Sequence, residues 1–357
     1  MKNRNTAVLI RDVARRAGVS PATVSRVLNG SLTVQAEYRA RVLRVIEEMG
    51  YRPNRLARNL RRQKAEMIGV VVADIENPHF TEMVRAVEDV SYRLGYRVLL
   101  CNTDENPEKQ RSYLDVLASE RVLGVILSPS NPVGEEIGNL LDLGIPLIAF
   151  DRPVQDPRAD AVVTDNVSAG RTATTHLLAL GHTCIGFIGS PEIETVADRL
   201  SGYEGAMRAA GLQPRSAPGF SRIEGGAAAT AQLLDEDDAP TALIVGNNLM
   251  AIGALRTLHS RGIGIPGQVA LVAIDDPFWA EIVEPPLTAL AQPVRQMAET
   301  IVDLLIHRLT VGQGQPRRLV FDFELRVRDS CGARLARAHI ESDSAGRAIP
   351  TMMEESG

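Results

Sequence analysis

IRDVARRAGVSPATVSRVLN, residues 10–29, holds two short helical patterns separated by a two-residue break. Ile10, Val13, Ala14 and Ala17 recur at the spacing of one helix face and predict a short amphipathic helix. Gly18 follows, free to take the left-handed conformation that ends a helix. Ser20 as N-cap and Pro21 as first helical residue then start a second helix. It turns Val24, Val27 and Leu28 inward and leaves Pro21, Ala22, Ser25, Arg26 and Asn29 outward. This spacing predicts a helix-turn-helix whose second helix enters the major groove of DNA.

Working outward, a third helix is predicted over 35–49, with Tyr38, Val42, Val45, Ile46 and Met49 on one stripe and Gly50 closing it. Arg26 is the strongest base reader, because a guanidinium can donate twice to guanine O6 and N7. Ala22 can touch a thymine methyl, whereas Thr23 and Ser25 suit phosphates, which position without specifying. Charge agrees with this placement. Residues 1–66 hold 15 Lys/Arg against 5 acids, which leaves 24 against 39 for the rest of a chain whose net charge is -5. A basic head on an acidic body is the footprint of a nucleic-acid binder.

The chain has 357 residues, enough for several packed units. Cys101, Cys184 and Cys331 are scattered and odd in number, so they read as reduced structural thiols, with neither a disulfide framework nor a metal pair. The apolar run 7–10 is too short for a signal peptide, and no stretch spans a membrane, so a cytoplasmic location is expected.

From Met67 onward, short apolar runs alternate with helical patterns. Strands are expected over 68–74, 97–102, 122–129 and 146–151, with helices near 79–94, 108–119 and 134–143. A second series of strands follows at 185–190, 241–247 and 269–275. Two doubly wound parallel-sheet lobes result, and a ligand belongs in the cleft between them, at the carboxyl ends of the strands. Polar residues collect there: Asp74, Asn77, Asp151, Asn247, Asn248 and Asp275. Carboxylates and amides suit the vicinal hydroxyls of a sugar, while His79, Phe80 and Trp279 could stack on its apolar face and Arg199 supply a cation. Some of the Asp and Asn residues could equally be helix caps.

Catalytic and cofactor signatures are absent. Gly262, Gly264 and Gly267 satisfy GxGxxG but follow a helix and precede a strand, which makes them a loop. No P-loop or nucleophile elbow is found, and the histidines lack metal spacing; His176 and His182 flank a helix C-terminus, where His is often a cap. No cofactor, metal or catalytic residue is expected.

DVARRAGVSPATVSRVLNG, followed by VIEEMGYRPNRLARNLR, resembles the head of the LacI/GalR family of repressors. DIENPHF, IAFDRP, DRLSGY, ALIVGNNLMAIGAL and PPLTALAQP extend the likeness through the body to about residue 330. The resemblance implies a sequence-specific regulator with a periplasmic-binding-protein-like effector domain. It implies that residues 54–59 are a hinge helix folding on operator DNA, that Leu60 wedges into the minor groove, and that Ala57 packs beside it. The composition of the segment agrees, since RPNRLARNLRR has too few apolar residues for a core of its own. Expected DNA contacts are therefore Ser20, Pro21, Ala22, Thr23, Ser25, Arg26 and Asn29, then Tyr51, Asn54, Ala57, Arg58 and Leu60. The resemblance further makes Arg199, Asp275, Asp151, Gln292, Phe80 and Asn247 effector ligands, beside Asp74, His79, Asn248 and Trp279. Leu9 stands where the family usually has a capping threonine, and Asn248 where aspartate is common.

The expected organisation is an all-α helix-turn-helix head (1–52), a hinge (53–66), the α/β two-lobed body (67–330) and a polar tail (331–357). The tail lacks leucine heptads, so a homodimer on a palindromic operator is expected, with a small molecule, a sugar or sugar derivative, as effector. A transport receptor would leave the head unexplained. An architectural DNA-binding protein whose body has lost its ligand stays open, and ligand-induced melting shifts would separate it from the regulator.

Overall fold

The structure is a computed structural model and describes residues 10–28, 35–49, 67–312 and 314–333. The chain divides into two compact units, residues 1–65 and 66–357.

In the first unit, α1 (Ile10–Ala17), α2 (Pro21–Leu28) and α3 (Ala36–Glu48) enclose Val13, Ala14, Ala17, Val24, Val27, Val42 and Val45. Gly18 has φ +64, and the amide of Thr23 donates to Ser20 Oγ at 3.1 Å, so the turn and the cap form as their residue types dictate. Tyr38 departs from the expected stripe. It is exposed, one turn before buried Val42, with the Arg41 guanidinium 4.9 Å from its ring centre.

The second unit is two lobes of the same design. In lobe 1, β1 (Met67–Val72), α4 (Pro78–Arg93), β2 (Arg97–Asn102), α5 (Pro107–Ser119), β3 (Gly124–Leu127), α6 (Glu135–Asp142), β4 (Leu147–Phe150) and β5 (Asp160–Thr164) follow in order. Lobe 2 continues with α7 (Asn166–Ala179), β6 (Ile185–Ile188), α8 (Glu194–Ala209), β7 (Arg215–Ala217), α9 (Ile223–Leu234), β8 (Ala242–Val245), α10 (Asn248–Ser260), β9 (Ala270–Ile274), a 3-10 turn (Phe278–Glu281) and β10 (Thr288–Ala291). The chain then returns to lobe 1 through α11 (Val294–Val311) and β11 (Arg318–Phe321), and ends in lobe 2 with β12 (Glu324–Arg326). Three crossovers thus join the lobes.

The sheet orders are β2-β1-β3-β4-β5-β11 and β7-β6-β8-β9-β10-β12, all parallel except the β10–β12 pair. Strands β1, β3, β4, β6, β8 and β9 are apolar and buried, as strands covered by helices on both faces must be. In each lobe the order reverses beside the first strand, which opens a crevice at the carboxyl edge.

Five strands escaped the sequence reading: β5, β7, β10, β11 and β12. The body also runs past 330, since Cys331 is fully buried in lobe 2. His176 and His182, read as caps, instead reach Cys331 Sγ (3.2 Å) and Thr241 Oγ1 (3.0 Å). Among the described residues no helix is long and apolar enough to cross a membrane.

Candidate functional site

On the head, Ser20, Pro21 and Arg26 are exposed. The hydroxyl of Thr23 lies 2.9 Å from Ser20 Oγ and so shares in the cap. The side chains of Ala22 and Ser25, together with Asn29, Tyr51, Asn54, Ala57, Arg58 and Leu60, lie outside the described residues.

Between the lobes is a cavity of about 360 Å³. Asp74, His79, Phe80, Asp151, Arg199, Asn247, Asp275 and Gln292 all line it, each from the carboxyl end of a strand or the first turns of the helix beyond. Two of the predicted set lie elsewhere. Trp279 sits on the 3-10 turn and packs against the core of lobe 2, and Asn248 faces a smaller chamber of about 70 Å³ next to the main cavity.

Arg199 is almost fully buried on α8. Its Nε donates to Asn166 Oδ1 at 2.8 Å and its Nη1 to the carbonyl of Gly246 at 2.6 Å, while Nη2 makes no hydrogen bond among the described residues. The guanidinium is therefore fixed at two corners with a third available. Asp151 and Asp275 occupy matching places, directly after β4 and β9, and both have positive φ, 65° and 74°. Non-glycine residues in this region are strained, and such strain gathers at binding sites. Asp275 Oδ1 accepts from Gln292 Nε2 at 2.8 Å, and Asp74 Oδ1 accepts from the amide of Glu76 at 2.9 Å. Phe80 packs edge-on to Phe150, their centroids 6.1 Å apart. His79 beside it has a buried, unpaired Nε2.

Several lining residues were missed: Glu105, Ser130, Arg152, Glu192, Ile193, Thr195, Val196, Phe220, Ser221 and Arg222. Arg152 was within reach, since it follows Asp151 directly. Its Nε donates to Asp151 Oδ2 (3.0 Å), and its two terminal nitrogens donate to the Glu105 carboxylate at 3.0 and 2.5 Å. Burial alone would lower the pKa of Arg152, but Asp151 and the bonds to Glu105 outweigh it and raise it. Phe220, Ser221 and Arg222 follow β7, whose three residues give no readable pattern.

The relatives of the chain decide its family. Residues 9–54 match the description "bacterial regulatory proteins, lacI family", and residues 174–331 match "periplasmic binding protein-like domain". The transcriptional repressor PurR of Photobacterium profundum is 32% identical over 90% of this chain and 98% of its own length. This chain belongs to the lacI family. It is thus a DNA-binding transcription regulator and not an enzyme. Among solved structures, a lac repressor dimer bound to operator and the anti-inducer ONPF is 27% identical and superposes with a TM-score of 0.80, covering 91% of this chain and 99% of that one. A LacI-family regulator from Enterococcus faecium with bound ribose is 31% identical, TM-score 0.69, over 74% and 98%. These likenesses agree with the two-lobed fold and the helix-turn-helix head described above.

Proposed function

We propose that this regulator represses transcription as a homodimer on an inverted-repeat operator, and that a neutral carbohydrate in the interlobe cavity controls its grip on DNA. The observation that carries the effector class is the balance of donors and acceptors around the cavity. Five carboxylates (Asp74, Glu105, Asp151, Glu192 and Asp275) face three guanidiniums (Arg152, Arg199 and Arg222). Arg152 is taken up by Asp151 and Glu105. With Arg152 and its two carboxylates set aside, Asp74, Glu192 and Asp275 face Arg199 and Arg222, so charged acceptors outnumber charged donors. A polyol, whose hydroxyls donate, fits this balance, whereas a phosphate or carboxylate ligand would meet net negative charge. Phe80 and Phe220 supply apolar faces for a sugar ring, and the ribose-bound Enterococcus regulator supports the same class.

Support for the homodimer comes from lobe 2, where Phe278 and Ile282 are 83% and 77% exposed, and from the dimeric lac repressor. Two heads related by a twofold axis read two half-sites, which makes the operator an inverted repeat, with Arg26 reading a base in each.

A melting screen of the full-length protein against neutral mono- and disaccharides and the matching sugar phosphates tests the effector class. A neutral sugar is expected to raise the melting temperature, by the equivalent of about 2.7 kcal/mol at a hundred times its Kd, and Arg199→Ala to abolish the rise. A rise with sugar phosphates alone would overturn the reading.

A further inference from the structure

Away from the crossovers, two polar side-chain contacts, a hydrogen bond and an ion pair, join the lobes among the described residues. One is an exposed ion pair, Arg222 with Glu76 at 3.7 Å. The other is a hydrogen bond from Asn248 Nδ2 to Asn77 Oδ1 at 2.9 Å, set at the N-termini of two facing helices, α4 and α10. We infer that this second contact is a weak closure latch, made as the lobes close and broken as they open. The inference concerns closure alone and stands whether or not the cavity takes a sugar.

The amide orientations follow from the helices themselves. Asn77 caps α4 by accepting from the amide of His79 through Oδ1 at 2.9 Å. That bond commits the oxygen, so whatever meets it from lobe 2 must donate. Asn248 does so through Nδ2. Its Oδ1 is buried with no partner, and the residue as a whole is 1% exposed. The adjoining chamber also holds His79, whose Nε2 is likewise buried and unpaired, and Glu82.

The closed state therefore gains one hydrogen bond and carries the desolvation cost of one unpaired acceptor. A bond so offset holds the lobes together only marginally. This is what a device that must be biased by a ligand requires, because a ligand can shift an equilibrium only by its own difference in affinity between the two states.

The donor–acceptor logic gives an asymmetric test. Asn248→Asp keeps the size of the side chain but cannot donate, and it sets a carboxylate against the Asn77 oxygen. Asn77→Asp keeps an acceptor for both His79 and Asn248. Hydrogen exchange on the full-length protein without added ligand reads each variant on the lobe opposite the substitution, where a merely local capping defect would not appear. Asn248→Asp is expected to speed exchange of lobe 1 amides over residues 79–83 about fivefold, the population change that loss of one net hydrogen bond brings. Asn77→Asp is expected to leave lobe 2 amides over 249–254 as slow as in the natural protein or slower. Should Asn248→Asp also speed exchange in strand β1, and so loosen the fold as a whole, Asn248→Ala removes the donor without adding charge; because it also removes the unpaired acceptor, it is expected to speed exchange over 79–83 by a smaller factor, about twofold. Unchanged exchange over 79–83 in a folded Asn248 variant, or equal acceleration across the seam by Asn77→Asp, would overturn the latch.

Discussion

A Cβ placed on Gly202 of α8 would lie 1.9 Å from the carbonyl oxygen of Val167 on α7, whereas one placed on Gly138 of α6, in lobe 1, would meet nothing nearer than 3.7 Å. The contrast extends through both lobes. In lobe 2, Gly170 and Gly202 bring α7 and α8 into backbone contact, and Gly226 and Gly253 do the same for α9 and α10. In lobe 1, α4 and α11 meet through side chains, among them Met83, Val87, Met297 and Ile301. The backbone atom against Gly170 is the carbonyl oxygen of Arg199 itself, and Met250, just after Asn247 and Asn248, abuts Gly226. Lobe 2 therefore carries Arg199, and Asn248 at a helix start, on helices in backbone contact with their neighbours. Lobe 1 presents Asp74, Glu105 and Asp151 from loops after its strands. The difference teaches that the helices of lobe 2 are held at backbone distance, whereas those of lobe 1 are spaced by side chains.

Lobe 1 compensates with a buried ion pair. Arg308 Nε and Nη2 clasp the Asp160 carboxylate at 2.6 and 2.7 Å, with side chains 7% and 1% exposed, and the amide of Arg317 donates to Asp160 Oδ1. This ties α11 and the approach to β11 onto β5. Asp160→Asn leaves a buried guanidinium without its counter-charge and is expected to lower the unfolding free energy by about 3–5 kcal/mol in urea titrations. A loss under about 1 kcal/mol would mean that side-chain packing alone holds lobe 1.

The glycine contrast gives the next largest effect. Gly202→Ala forces the helices apart and is expected to cost about 2–3 kcal/mol. Gly138→Ala, in the middle of a helix with room for a methyl group, is expected to add about 0.5–1 kcal/mol. Equal and small effects at both positions would erase the difference between the lobes.

The smallest effect concerns the seam. Glu82 of α4 is exposed but borders the smaller chamber, where partial desolvation raises its pKa; His79 opposes this, Asp275 adds to it, and Arg326 and Asp276 act from β12 and the loop after β9. The folded state therefore holds this proton above the pH at which the unfolded chain releases it. Stability falls as pH rises from the ordinary glutamate range through the raised value, and the loss persists at neutral pH. Glu82→Gln is expected to remove that fall, seen as a smaller drop in melting temperature between pH 4.5 and pH 7 than in the natural protein. An unchanged pH profile would show that the carboxylate is solvated at the seam.

Much of this was legible in the residues. The helix-turn-helix follows from Gly18, Ser20 and Pro21, whose conformational preferences act locally, and the buried strands from runs such as IGVVV and ALVAI. Strands that are both at an edge and only three or four residues long, β7, β11 and β12, left no such trace. RSA in β7 is three residues long, and RLVF in β11 alternates exposed and half-buried positions and so resembles a loop. The loop after β7 supplies Phe220, Ser221 and Arg222, so missing that strand hid one wall of the cavity. Trp279 misled because aromatic character suggests stacking, whereas the 3-10 turn places its ring against the core of lobe 2.

The measurement that bears most directly on a sugar-controlled repressor is the affinity of the full-length protein for duplexes recovered from random DNA at fixed salt, with and without the neutral sugar that raises its melting temperature. An inverted repeat should emerge, Arg26→Ala should relax one guanine in each half-site, and the sugar should change the affinity by about 5- to 150-fold. Sequence-blind, salt-sensitive binding that no such sugar alters would contradict it, and would leave the head architectural and the cavity without a regulatory role.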